Sequence, residues 1–148
     1  MNKKRPRAAA TGPAQDVMWS LLQAAHAVEG RLEGALGEVG LSGAKLAALT
    51  QLVEAGAPIT LGELAAQCAC VRSNITQLVD RLEADKLVRR VDDLADRRSL
   101  RAAITPLGRE RQAAGAKRIE AVRKQLAGTL RALDDDALRR AVAVVSKK

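Results

Sequence analysis

Hydrogen-bonding side chains crowd into one short stretch of this chain, Arg72-Ser-Asn-Ile-Thr-Gln-Leu-Val-Asp-Arg81. At helical spacing Ser73, Thr76, Gln77, Asp80, Arg81 and Ala84 share one side, where small and polar groups can approach a flat surface closely. A glutamine amide offers a donor and an acceptor together, the pattern that matches one base edge in a major groove. Solvation alone would also explain an exposed polar helix face, so Gln77 carries both readings. A second cluster, Asp96-Arg97-Arg98, sets two adjacent guanidiniums beside a carboxylate. It reads either as a solvated tip or as a contact for a polyanion.

These groups need a scaffold, and the apolar pattern supplies one. Ile75, Leu78, Val79 and Leu82 recur at i, i+3, i+4 and i+7, a stripe that a helix must bury. Leu87 to Thr105 then reads as two short strand-like runs around a charged tip. Upstream, Thr60-Leu-Gly-Glu63 has the capping-box spacing, in which hydroxyl and carboxylate satisfy orphan amides at a helix start. The short helix that follows carries Leu61, Leu64, Ala65 and Cys68 on one face. A turn of about three residues joins it to the polar helix, the arrangement in which the second helix enters a major groove. Helix, helix, charged hairpin is the order of a winged helix-turn-helix.

Outside this segment the pattern is helical. Pro13 suits a first helical position, and Val17, Leu21, Ala25, Val28, Leu32, Leu36 and Val39 trace an apolar stripe interrupted by Gly30, Gly34, Gly37 and Gly40. Those glycines permit either close helix packing or a bend. Ser42 is a candidate cap for a helix that turns Leu46, Leu49, Leu52 and Val53 inward and ends at Gly56 and Pro58. Thr105-Pro106 marks another start. Leu107, Ala114, Ile119, Val122, Leu126, Leu130 and Leu133 then follow in a roughly seven-residue repeat suited to packing along a second helix. Asp134 caps a last helix with Leu138, Val142 and Val145 on its stripe, and Leu133 and Leu138 have staple spacing around that cap.

The chain of 148 residues is long enough for one domain with a real core. Phenylalanine and tyrosine are absent and Trp19 is the only aromatic residue, which disfavours single-strand and RNA modules built on base stacking. Residues 1–12 read as a disordered basic arm. The net charge of +8 is uneven: +4 over residues 1–10, −3 over 11–57, +1 over 58–108 and +6 over 109–148. Contact with a polyanion through the nearly neutral 58–108 segment therefore depends on where individual arginines sit, with the basic ends adding a long-range, salt-sensitive attraction. The bland alternative is a solvated basic surface.

No apolar run reaches the roughly 18 to 20 residues that span a bilayer, and no hydrophobic run follows the basic start as a secretion signal requires. A cytoplasmic location without membrane contact is expected. Cys68 and Cys70 do not form a secreted disulfide framework. Two thiols cannot complete a tetrahedral zinc site, so small core hydrophobes and a cysteine-based redox sensor are the two readings, and no metal or other cofactor is called for. One histidine, no glycine-rich phosphate loop and no nucleophile-base constellation argue against an enzyme, and no catalytic residue is assigned.

Five blocks in order give a resemblance to a known family: Leu61-Gly-Glu-Leu-Ala65, Asn74-Ile-Thr-Gln-Leu-Val-Asp-Arg-Leu-Glu83, Leu87-Val-Arg-Arg90, Asp96-Arg-Arg98 and Ile104-Thr-Pro-Leu-Gly108. The chain resembles the MarR family of winged helix-turn-helix bacterial transcription regulators. The resemblance implies a mainly α fold with a small β-hairpin wing. Residues 42–108 would be the DNA-binding domain, and residues 13–41 and 109–148 a helical dimerisation region. It implies a homodimer on a pseudo-palindromic operator of double-stranded DNA, most often as a ligand-responsive repressor. Arg72, Ser73, Asn74, Thr76, Gln77 and Arg81 would lie at or near the major groove. Asp96, Arg97 and Arg98 would lie at the wing, where a narrow minor groove attracts guanidinium groups and Asp96 can orient Arg98 through forked bonds. It also implies a small aromatic or phenolic effector, for which Trp19 and His26, seven apart on one helix face, are the candidates. Ordinary packing at the dimer interface explains the same pair. A winged helix that binds acidic protein partners is the alternative function. Ala69 and Lys86 stand where the family favours glycine, and Val71 where it favours a capping serine.

Overall fold

The helical stripes recur in the computed structural model, which describes residues 13–69, 72–96 and 99–146. Two compact units result, one ending at Arg31 and the other beginning at Leu32. In chain order the elements are α1 (Pro13–Gly37), α2 (Gly43–Ala55), β1 (Ile59–Thr60), α3 (Leu61–Gln67), α4 (Arg72–Ala84), β2 (Val88–Asp92), β3 (Leu100–Ile104), α5 (Pro106–Leu130) and α6 (Asp135–Val145). The fold is mainly α with one small antiparallel sheet of strand order β1-β3-β2.

The N-terminal unit carries the part of α1 up to Arg31. Its apolar residues Val17, Met18, Trp19, Leu21 and Leu22 are exposed. In the second unit the core is built from Leu36, Leu41, Ala48, Leu49, Leu52, Leu64, Ala65, Ile75, Val79, Leu82, Leu87, Val88 and Ala102. Ile75, Val79 and Leu82 of α4 are fully buried, and Leu78 and Cys68 pack at the edge of that cluster. Cys68 is therefore only half-buried, while Cys70 and Val71 lie outside the described residues.

Predicted caps carry the element boundaries. Ser42 accepts from the Lys45 amide, Thr60 and Glu63 form the complete capping box, Thr105 accepts from Gly108 N at 2.9 Å, and Asp134 accepts from Ala137 N at 3.0 Å. The Thr60 amide, then its hydroxyl, holds the Glu63 carboxyl below its ordinary pKa.

Three sequence expectations are corrected. A strand joins the hairpin: β1 pairs Ile59 with Ala102 and Thr60 with Arg101, a two-residue strand too short to leave a period-2 pattern. Helix α1 stops at Gly37, short of Val39, because Gly40 takes a left-handed conformation at φ +70° and closes the end with Gly40 N to Gly37 O and Leu41 N to Leu36 O, both 3.0 Å. The connection from Gln67 to Arg72 is one residue longer than predicted. On the α5 stripe Val122 is buried but Leu107 and Leu130 are exposed, as are Leu133 and Leu138 around the α6 cap. No residue of α6 is buried.

Helix α4 ends as α1 does, with Lys86 N to Glu83 O and Leu87 N to Leu82 O, both 2.9 Å. Here the left-handed residue is Lys86, at φ +61°, and Ala69 after α3 repeats the conformation at φ +50°. The next junction depends on a missing side chain. Thr105 N and Oγ1 both bond Leu87 O, at 3.0 and 3.1 Å, and a Cβ on Gly108 would lie 2.1 Å from that same oxygen.

Two substitutions to or from glycine should thus act against the usual trend. Lys86→Gly relieves a left-handed strain of about 1–2 kcal/mol, partly offset by unfolded-chain entropy, and should raise Tm by about 3 °C; an unchanged or lower Tm would contradict the strain. Gly108→Ala, ordinarily stabilising inside a helix, should instead cost about 1–3 kcal/mol by overpacking. Thermal unfolding of both variants checks the signs.

Candidate nucleic-acid interface

Burial of the Ile75, Val79 and Leu82 stripe turns the opposite side of α4 to solvent. Ser73, Asn74, Thr76, Gln77, Asp80 and Arg81 are all exposed. Arg72 opens α4; its side chain, and Arg97 and Arg98 whole, lie outside the described residues. Arg97 and Arg98 belong to the segment that joins β2 to β3.

The hairpin is antiparallel in the register Val88 with Ile104, Arg89 with Ala103, Arg90 with Ala102, Val91 with Arg101 and Asp92 with Leu100. Alternation sends Arg90 to the α4 side. There its guanidinium forks between Asp80 and Glu83 of α4, and its amide donates to Glu83 Oε1 at 3.1 Å. Those bonds from Arg90, the amide first, hold the Glu83 carboxyl below its ordinary pKa. Partly exposed pairs of this kind contribute only about 0.2–1 kcal/mol each. Their consequence is geometric: strand and helix are fixed to one another.

A second carboxylate fixes the neck of the hairpin. Asp93 is buried, accepts from Ala95 N at 3.0 Å and pairs with Arg101 Nε at 3.0 Å. Its amide donates to Ser99 O at 3.1 Å, and Ser99 N donates to Asp96 O at 2.9 Å. Arg101 in turn donates to Pro58 O at 3.1 Å, which anchors the wing to the segment entering β1. The Ala95 amide, and after it Arg101, hold the Asp93 carboxyl below its ordinary pKa. Asp96 is exposed at the tip, and Leu94 beside it is fully exposed.

Between α4 and the wing lies an open cleft of about 460 Å³ lined by Thr60, Leu61, Gly62, Thr76, Asp96, Ser99 and Leu100. Hydroxyls at three of these positions suit a strand of phosphates and sugars.

Comparison with known proteins agrees with this arrangement. Residues 39–99 match the model of the MarR family. Over those residues the chain is similar to the MarR family. An uncharacterized HTH-type transcriptional regulator, YsmB of Bacillus subtilis, is 33% identical over 93 residues, which span 63% of this chain and 63% of that protein's length. Sco3205, a MarR family transcriptional regulator from Streptomyces coelicolor solved in complex with DNA, is 26% identical with a TM-score of 0.73, covering 97% of this chain and 89% of that one. CouR from Rhodococcus jostii, bound to p-coumaroyl-CoA, is 25% identical with a TM-score of 0.67, covering 89% and 90%.

The candidates for an effector belong to the N-terminal unit. Trp19 is exposed, and His26 is exposed with its Nδ1 3.8 Å from Glu29. Among the described residues, no group of three or more His, Cys, Asp or Glu side chains is placed to hold a metal, and no helix is long and apolar enough to cross a membrane. Sequence reading passed over Arg90, Glu83, Asp93 and Arg101. Asp80 and Glu83 at i, i+3 beside two arginines were the available signal for the first pair.

Because the folded pKa of Asp93 is lowered, its contribution is complete at neutral pH and is lost as pH falls from the ordinary carboxylate value, about 4, through the lower folded one. Asp93→Asn should therefore lower Tm at neutral pH, with the gap to the parent chain narrowing at about pH 3. An equal gap at both pH values would contradict the pairing.

Proposed function

We propose that this chain is a sequence-specific regulator of transcription that binds double-stranded DNA as a homodimer. The observation that carries the reading is the exposed polar face of α4, locked at a fixed angle to the wing by the Arg90 fork. In this reading Gln77, with Ser73, Asn74, Thr76, Arg72 and Arg81 around it, meets the major groove. Arg97, Arg98 and Asp96 serve the adjacent minor groove and backbone. Residues 42–108 are then the reading head.

Residues 13–41 and 109–148 are the dimerisation region. Supporting this, the exposed apolar residues concentrate there: Val17, Met18, Trp19, Leu21 and Leu22 near one end, and Leu130, Leu133, Leu138, Val142, Val144 and Val145 near the other. Apolar groups left in water on this scale favour burial against a second copy. Two reading heads held apart then match a pseudo-palindromic operator.

The same family resemblance supports a repressor relieved by a small aromatic or phenolic ligand, the class to which the p-coumaroyl group carried by CouR belongs. Release requires that the ligand favour a dimer unable to span both half-sites, since equal affinity for both states would shift nothing.

Selection of bound duplexes from a random pool tests the reading. A palindromic consensus is expected, and no enrichment over scrambled competitor would overturn it. On that consensus Gln77→Ala should cost about 1–3 kcal/mol and relax preference at one position per half-site. Arg98→Ala should weaken all sequences alike and reduce the salt slope by about one counterion for each bound chain.

A further inference from the structure

The outer face of the sheet, opposite α4, holds a second concavity. The end of α2, the loop into β1, strands β2 and β3 and the first turn of α5 enclose about 170 Å³. Its floor is apolar. Leu52 and Ala103 are buried and Ile104 is partly so, with Pro58 closing one side. Ala103 faces Arg89 across the ladder, and its small side chain leaves the space open.

Two arginines line this cleft, Arg89 from β2 and Arg109 from α5. Both are exposed, and neither has an ion pair among the described residues. By contrast Arg90, Arg101, Arg118, Arg123 and Arg139 each pair with a carboxylate. No acidic residue lines the cleft. Two like charges at the rim of one apolar concavity repel each other and attract an anion more strongly than the same charges on an open surface.

The walls are already fixed. Gly56 caps α2 in a left-handed conformation, Arg101 holds Pro58 O at 3.1 Å, and Arg109 N bonds Thr105 O at 3.0 Å. Such a site has little ordering left to do on binding.

We propose that this cleft binds a small organic carboxylate, its head group held by Arg89 and Arg109 and its compact aliphatic body resting on Leu52, Pro58, Ala103 and Ile104. Guanidinium forks match a carboxylate in two parallel hydrogen bonds. The apolar floor selects against anions without a carbon body, and the volume selects against bulky ones.

The test is titration of the full chain at constant ionic strength with acetate, 2,2-dimethylpropanoate and inorganic phosphate, followed by amide NMR shifts. Each methylene equivalent buried should tighten binding about fourfold, so 2,2-dimethylpropanoate should bind at least tenfold more tightly than acetate or phosphate, with shifts centred on Leu52, Ala57, Ala103 and Ile104. Arg89→Ala and Arg109→Ala should each weaken it at least fivefold without changing Tm, whereas Lys117→Ala should leave it unchanged. Ala103→Leu should abolish binding by filling the floor; the two arginine variants decide the matter if that chain fails to fold. Equal affinities for all three anions with shifts spread over the basic surface would overturn the proposal as general anion condensation. Loss of operator binding in the arginine variants, with no carboxylate bound by the parent chain, would also overturn it and make the cleft a DNA-backbone contact.

Discussion

The fork of Arg90 onto Asp80 and Glu83 is the constraint on which the interface depends. A helix and a wing that are to contact neighbouring grooves bind more tightly when their separation is set before the nucleic acid arrives, because ordering them on binding would consume affinity. Partly exposed ion pairs contribute little stability. A guanidinium is nevertheless planar and directional, and a fork to two carboxylates one helical turn apart admits few orientations of the strand. Asp93 does the same one level out, joining Ala95, Arg101 and the hairpin neck.

The exit of α4 is held by backbone as well as by charge, the latter through Lys45 and Asp85 at 2.6 Å. Leu87 O receives Thr105 N and Oγ1, and Gly108 lets α5 lie directly against that oxygen. The start of α5 thereby sits on the strand that carries the fork. Strain is placed in the same region. Ala69 and Lys86, before and after α4, take conformations that cost a side-chain-bearing residue about 1–2 kcal/mol, and packing of Ile75, Val79 and Leu82 must offset it.

Much of this was legible before any coordinates. Caps at Ser42, Thr60, Thr105 and Asp134 were readable because each rests on a hydroxyl or carboxylate within three residues of its partner amide. The buried stripe of α4 was readable because four apolar residues recur at helical spacing. Pairings across the chain were not: Arg90 lies ten residues from Asp80, and Arg101 lies 43 from Pro58, so the carboxylates at i, i+3 hint at the first without naming its partner, and no local pattern announces the second. Strand β1 escaped because two residues carry no period. The exposed stripes of α1 and α6 were visible as apolar patterns, but a pattern states that a face is to be covered and not by what. Arg97 and Arg98 lie outside the described residues, so their part in the interface rests on the sequence.

The central claim is that two copies of one rigid helix-and-wing unit contact a single face of a duplex. Hydroxyl-radical footprinting of the full chain on a duplex that it selects tests this most directly. Two protected patches on one face, centred about one helical turn or a multiple of it apart and related by a dyad, are predicted. A single patch, or protection running continuously around the duplex, would contradict the claim.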